Sequence, residues 1–338
     1  MKFRVPVFVS HLSAITLGVT VCLTSMAHAD EDKVFNRIAT FPVYLNTDVD
    51  TESVAEIVDV SKDGKTLVYT DSENESLGFV DIKKPKSPQP LGIIDVGGEP
   101  TSVAVAGDYA LVTVDTSPDF VSPSGHLHVI EISTQAIVAT HGLAGQPDSV
   151  AVSPDGQYAA VVIENQRNEE WCVVPGNGLT NDFPVPEDDE IAEAACDNTG
   201  GEVAGLPQLP SGLLQIVDLV GAPGDWSLRN VSLDGVADNA PTDAEPEYVD
   251  INKKNIAVVT MQENNHIVLV DMVTGNIVND FPANVVDLDQ IDTKEEDPAL
   301  ISLTDSKTAI PSEPDGVTWI SNKVFVTADE GDMDGCLL

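Results

Sequence analysis

Glu245-Pro246-Glu247-Tyr248-Val249, a β-branched run from Ile256 to Thr260, Leu269-Val270-Asp271-Met272 and a closing run from Asn276 to Phe281 decide the fold. Each run is strand-length, and the β-branched residues and polar breaks fit strands better than helices. The opening phrase recurs as Glu99-Pro100-Thr101-Ser102-Val103, Gln146-Pro147-Asp148-Ser149-Val150 and Glu313-Pro314-Asp315-Gly316-Val317, with a degenerate first copy near Ala55. The third run recurs as Phe79-Val80-Asp81-Ile82, Val129-Ile130-Glu131-Ile132 and Ile216-Val217-Asp218-Leu219. Turns such as Ser61-Lys62-Asp63-Gly64 and Ser153-Pro154-Asp155-Gly156 join first and second runs, because Asp-Gly accepts the positive φ of a tight hairpin.

A four-strand unit repeated along a chain is a propeller blade, since one such sheet buries its faces only when neighbours stack on it. The expected fold is all-β: a β-propeller of four-stranded blades over 53–338, about four and a half blades, with no substantial helical domain. Pro147 to Asp218 spans far more chain than the equivalent Pro246 to Asp271, which sets a loop insertion at about 165–210. The last unit, 313–338, offers a first strand and a second at Val324 to Thr327 and is read as an incomplete blade. Cys336-Leu337-Leu338 ends it with an unpaired thiol and two leucines, which a C-terminal truncation explains. Edge pairing between two chains, or a genuinely small propeller, would equally account for an open edge.

The phrase Val258-Val259-Thr260-Met261-Gln262-Glu263-Asn264-Asn265-His266-Ile267-Val268-Leu269-Val270-Asp271, followed by Thr274-Gly275, resembles the YVTN-type β-propeller repeat. Together with Glu245 to Val249, Asp287-x-Asp289, Pro314-Asp315-Gly316-Val317 and Glu330-Gly331-Asp332, it makes the chain from about Ala55 to Gly335 similar to the choice-of-anchor I family. The resemblance implies an exported propeller, of a kind often labelled alkaline phosphatase-like or esterase/phytase-like. It is specific for the fold, and no catalytic motif accompanies the label.

Composition narrows the partners. Fifty-six Asp and Glu against 16 Lys and Arg give a net charge of −40, which repels nucleic acid and anionic membranes. Hydrophobic content of 42% still supports a large core, so the chain is not an acidic disordered one. Lys2 and Arg4, an apolar stretch from Val5 to Met26 and Ala27-His28-Ala29 read as a signal peptide over 1–29, followed by an N-terminal segment, 30–52. Its cleavage would leave no membrane segment and place the protein in the periplasm or outside the cell; an uncleaved anchor is the competing reading, weakened by Ser10, His11 and Thr16. In that oxidising setting Cys172 and Cys196, both in the insertion, are expected to form a disulfide. Without a CxxC motif, structural zinc is not expected.

Glu99, Glu245 and Glu313 precede the repeated prolines, and Glu73, Glu164, Glu263 and Glu330 end second strands. In a propeller both sets fall on one face, giving a crown of carboxylates. Hard cations prefer such ligands, so Ca²⁺ is the implied cofactor; turn chemistry on an acidic surface is the competing reading. The metal candidates are Glu330, Asp332, Asp334, Glu263, Glu164 and Glu73, of which Glu330-x-Asp332-x-Asp334-Gly335 copies the first half of a calcium loop. Asn46-x-Asp48-x-Asp50 and Asp287-x-Asp289 are read as solvated loops, and His126-x-His128 as an ordinary strand pair. There is no G-x-S-x-G, H-E-x-x-H, P-loop or dinucleotide turn, and no nucleotide, haem or flavin signal. Two functions stand. One is an exported module binding a protein or small-molecule ligand on the loop face; the other is a metal-dependent phosphoesterase or esterase on that face.

Overall fold

The computed structural model describes residues 36–168, 171–173, 183–184, 196, 202–203, 205–294, 298 and 300–331. The segment read as a signal peptide, together with Asp332, Asp334 and Cys336, lies outside them. The described residues from Ala39 onward form one compact unit.

Four antiparallel sheets follow one another along the chain. The first is β1 (Ala55–Val60), β2 (Thr66–Asp71), β3 (Ser76–Asp81) and β4 (Gln89–Asp95); the second is β5 (Glu99–Ala106), β6 (Tyr109–Asp115), β7 (Gly125–Glu131) and β8 (Ala136–Gly142). The third begins with β9 (Pro147–Val152) and β10 (Tyr158–Ile163). It is then interrupted by a small separate sheet of β11 (Trp171–Val173), β12 (Phe183–Pro184) and β13 (Glu202–Val203), and finishes with β14 (Leu213–Asp218) and β15 (Ser227–Ser232). The fourth is β16 (Pro246–Ile251), β17 (Ile256–Met261), β18 (His266–Asp271) and β19 (Asn276–Pro282). A hairpin of β20 (Val285–Ile291) and β21 (Asp305–Pro311) precedes β22 (Pro314–Ser321) and β23 (Val324–Asp329), which open a fifth blade.

The sheets are blades around an axis. Residues of all five first strands, β1, β5, β9, β16 and β22, line one cavity of about 320 Å³. The hydrophobic cores lie between successive blades. Phe79 and Val103 share one core, Leu127 and Val161 a second, Leu214 and Val259 a third, and Val258 and Val317 a fourth. The fold is thus a β-propeller, as the repeat predicts.

Local chemistry explains the boundaries. Ser61 Oγ and Ser153 Oγ each donate to the Asp two residues on and accept the first amide of the second strand, while Gly64 and Gly156 both take φ +68°. The acid closing the third strand turns the chain, as where Asp271 Oδ1 accepts the amides of Val273 and Thr274.

Two expectations change. The insertion is not wholly loop, since it pairs Cys172 with Phe183 and Val203 across its own three-stranded sheet. Asp287 and Asp289 lie on a strand, where Asp287 Oδ1 accepts the Ala309 amide across the hairpin. Among the described residues short 3-10 turns lie at Val43–Leu45, ahead of β1, and at Pro223–Asp225, between β14 and β15. Among the described residues no helix is long and apolar enough to cross a membrane.

Candidate functional site

Every first strand is irregular at the same place. The ladder shifts between Ala55 and Val58, Pro100 and Ser102, Pro147 and Val150, Pro246 and Val249, and Pro314 and Val317. A bulge breaks the two-residue alternation of side chains and re-aims the residue it contains. The re-aimed residue follows the proline, and in three copies it is acidic: Asp148, Glu247 and Asp315.

Asp148 from β9, Glu247 from β16 and Glu164 just past β10 converge, with one carboxyl oxygen of each within 4.8 Å of the others. They line one side of a cavity of about 500 Å³, whose other walls include Glu99, Asp115, Asp119 and Phe120. Among the described residues no Lys, Arg or His lines it. Burial pushes the Asp148 carboxyl up to about 7, helped by the charges of Asp315 and Glu263. Burial likewise raises Glu247 to about 9, with Asp148 and Glu263 adding to it and a side-chain hydrogen bond from Glu164 opposing it. Glu164 is raised well above its ordinary range by burial and then by Glu247 and Asp148. Such a set holds protons unless a cation replaces them.

Arg167 is the nearby cation, and it is already engaged. Its Nη1 reaches Glu263 Oε1 at 2.7 Å and Glu245 Oε2 at 3.0 Å, and Glu245 Oε1 accepts the Arg167 amide. Burial alone would lower the guanidinium pKa, but Glu263 and Glu245 raise it instead. Glu263 Oε2 is buried with no hydrogen-bond partner, and its charge is felt at Asp148, Glu164 and Glu247.

The residues singled out from the sequence separate. Pro147 pairs with Ile163, Pro246 with Met261 and Pro314 with Asp329, so Glu164, Gln262 and Glu330 are strand equivalents. Glu263 lies one residue further on. What the Glu-Asn phrase does share is its amide. Asn165 Oδ1 accepts the Gln146 amide and Asn264 Oδ1 that of Glu245, locking each turn to the residue before the proline.

Glu164 joins the carboxylate group, and Glu263 belongs to the Arg167 cluster. Glu330 is exposed, accepts from Gln262 and raises Asp315, whose leading cause is burial. Glu73 is exposed and outside the group. Of the acids before proline, Glu99 is on the cavity wall, whereas Glu245 and Glu313 are buried. Asp148 and Glu247 escape sequence reading, although the recurrent acid after the proline was a usable signal.

The other candidates have structural employment. Asn46 Nδ2 donates to the Tyr69 hydroxyl and Phe79 carbonyl, and its Oδ1 accepts the amides of Leu91 and Gly92. Asp48 accepts the Asp50 amide. His126 and His128 touch through Nε2 atoms 2.8 Å apart, and His128 Nε2 also lies 3.1 Å from the Val96 carbonyl. Cys172 and Cys196 form the expected disulfide, with Cα atoms 5.5 Å apart.

A model of the choice-of-anchor I domain matches residues 56–186 and 218–336. No curated protein matches the chain. Similar solved structures include hydrazine synthase of Kuenenia stuttgartiensis, at 14% identity and a TM-score of 0.34 over 68% of this chain and 74% of that one. Others are the Neurospora crassa Pan2 WD40 domain, at 12% and 0.38 over 65% and 50%, and a mitotic checkpoint complex, at 12% and 0.42 over 70% and 55%. The chain spans about half the length of the last two.

Proposed function

This chain belongs to the choice-of-anchor I family, and we propose that it is an exported binding module whose axial face holds a divalent cation, Ca²⁺ by its chemistry. The observation carrying this reading is the convergence of Asp148, Glu164 and Glu247 from two blades. All three donors are hard oxygens, without the imidazole or thiolate that would favour zinc or copper. The orphan oxygen of Glu263 adds unbalanced negative charge beside them. A bound Ca²⁺ would neutralise carboxylates that otherwise keep their protons. The leader-like sequence 1–29 supports export.

Ester or phosphoester hydrolysis is the second reading, favoured by the room the cavity leaves beside the carboxylates. Its cost is electrostatic, because an anionic ester would meet a wall with no basic side chain unless the cation reverses the field. Isothermal titration of metal-free protein with Ca²⁺ tests the first reading. One site is expected, lost in Glu247→Gln and in Asp148→Asn, and an absence of binding rejects it. The same samples, assayed on chromogenic phosphate and carboxylic esters with Ca²⁺ and with chelator, test the second. Turnover that chelator abolishes establishes a hydrolase.

A further inference from the structure

We propose that the cavity of about 500 Å³ beside Asp148, Glu164 and Glu247 takes a primary ammonium group on an aliphatic stem, which displaces the divalent cation from the same three carboxylates. The inference rests on the cation reading only in sharing Asp148, Glu164 and Glu247. Charge is the first argument. Glu99, Asp115, Asp119, Asp148, Glu164 and Glu247 line the cavity and no basic residue does, so an anionic occupant meets repulsion on every side.

Geometry is the second. An ammonium donates three hydrogen bonds at tetrahedral angles, and N–O distances of about 2.8 Å put its three acceptors about 4.6 Å apart. The three carboxyl oxygens all lie within 4.8 Å of one another, close enough for one nitrogen to reach all three once it replaces the Glu164–Glu247 hydrogen bond. A guanidinium is a flat fork suited to two oxygens of a single carboxylate, a poorer match to three separate side chains.

The third argument is a missing positive charge. Arg167 is held by Glu245 and Glu263, yet Glu263 Oε2 remains without a partner although its residue is only 7% exposed. The Glu263 carboxylate acts electrostatically on all three converging carboxyls. Two glutamates thus face the single positive charge of Arg167, and the excess negative charge favours a cationic occupant.

The fourth is shape. An ion alone leaves most of about 500 Å³ unfilled, whereas a methylene stem can lie along Pro118, Pro147 and the Phe120 ring, which is 42% exposed. An aromatic face there also attracts the cationic head. Lysine side chains of a partner polypeptide and free polyamines share this chemistry.

Calorimetric titrations of the full, Ca²⁺-free protein with cadaverine, with Nα-acetyl-lysine amide and with its Nε-acetylated form test the proposal. Binding of one or both free amines is expected, with none for the acetylated form. Glu247→Gln and Asp148→Asn should weaken it at least tenfold, and Phe120→Ala severalfold. Added Ca²⁺ should raise the apparent Kd in proportion to its concentration. Preference for the lysine amide identifies a polypeptide partner, and preference for cadaverine a free polyamine. Protein that binds Ca²⁺ but neither amine overturns the inference and leaves the cation reading standing. Amine binding that Ca²⁺ and both variants leave unchanged is attraction to net charge and also overturns it. Amine binding that needs Glu247, in protein that binds no Ca²⁺, upholds the inference and removes calcium instead. Circular dichroism of each variant separates lost binding from lost folding.

Discussion

Arg167 shows how one residue fixes the interior of the axial face. It enters from the start of the insertion and holds two buried carboxylates of the fourth blade, Glu245 at 0% side-chain exposure and Glu263 at 9%. Removing one partner of a buried ion pair costs more than the pair ever contributed, because the remaining charge stays out of water. Arg167→Met should therefore lower stability at neutral pH by about 3–5 kcal/mol, measured by urea unfolding. The loss should shrink as pH falls, because burial raises the Glu245 carboxyl and it takes up a proton. A variant as stable as the parent at neutral pH would show that the ion pairs are dispensable. Arg167 was not legible as part of a site, since nothing in 165–210 announces which residue turns inward.

Among the elements, side-chain clasps join one first strand to the next. Asp250 on β16 accepts the Trp319 amide at 2.7 Å and the Thr318 hydroxyl at 3.0 Å on β22, and Asp59 on β1 accepts the Val105 amide on β5. Asp250→Ala leaves a strand amide without its acceptor, and the expected cost is about 1–3 kcal/mol. Hydrogen exchange should locate the damage at Trp319, and unchanged exchange there would show that the clasp is dispensable. The strands themselves were readable, because alternation and turn residues act over a few neighbours. Tyr158–Ile163 forms as expected, and Ile256–Met261 runs one residue beyond the expected run. The small sheet of the insertion was not, since its paired residues Cys172 and Val203 are far apart in sequence and lack a periodic run.

At the scale of the molecule, three carboxyls with raised pKa values make stability depend on pH in an unusual direction. Asp148 rises from an ordinary value near 4 to about 7 and Glu247 to about 9, so the folded state holds protons that the unfolded chain releases. The stabilising contribution is complete below the unfolded pKa and disappears as pH climbs through the folded one. Without Ca²⁺, the Tm should fall as pH rises from about 5 to about 9, and the fall should be smaller in Glu247→Gln. Saturating Ca²⁺ should restore it at the alkaline end, with protons released on binding. A Tm that rises across this range in metal-free protein would contradict the arrangement.

The sequence by itself determined the class of structure. Hydrophobic alternation, Asp-Gly turns and the recurrent Pro-x-x-Val are local signals, and four strands per unit leave radial stacking as the way to bury their faces. It also determined the acidity of the face and, through Cys172 and Cys196, the staple of the insertion. Only the tertiary structure decided which acids meet. The bulge after each proline cancels the alternation from which side-chain direction is read, and the ring brings together Asp148 and Glu247, residues of different blades. Glu263 was diverted to Arg167 for the same reason, because a buried carboxylate takes the counter-charge that folding places beside it.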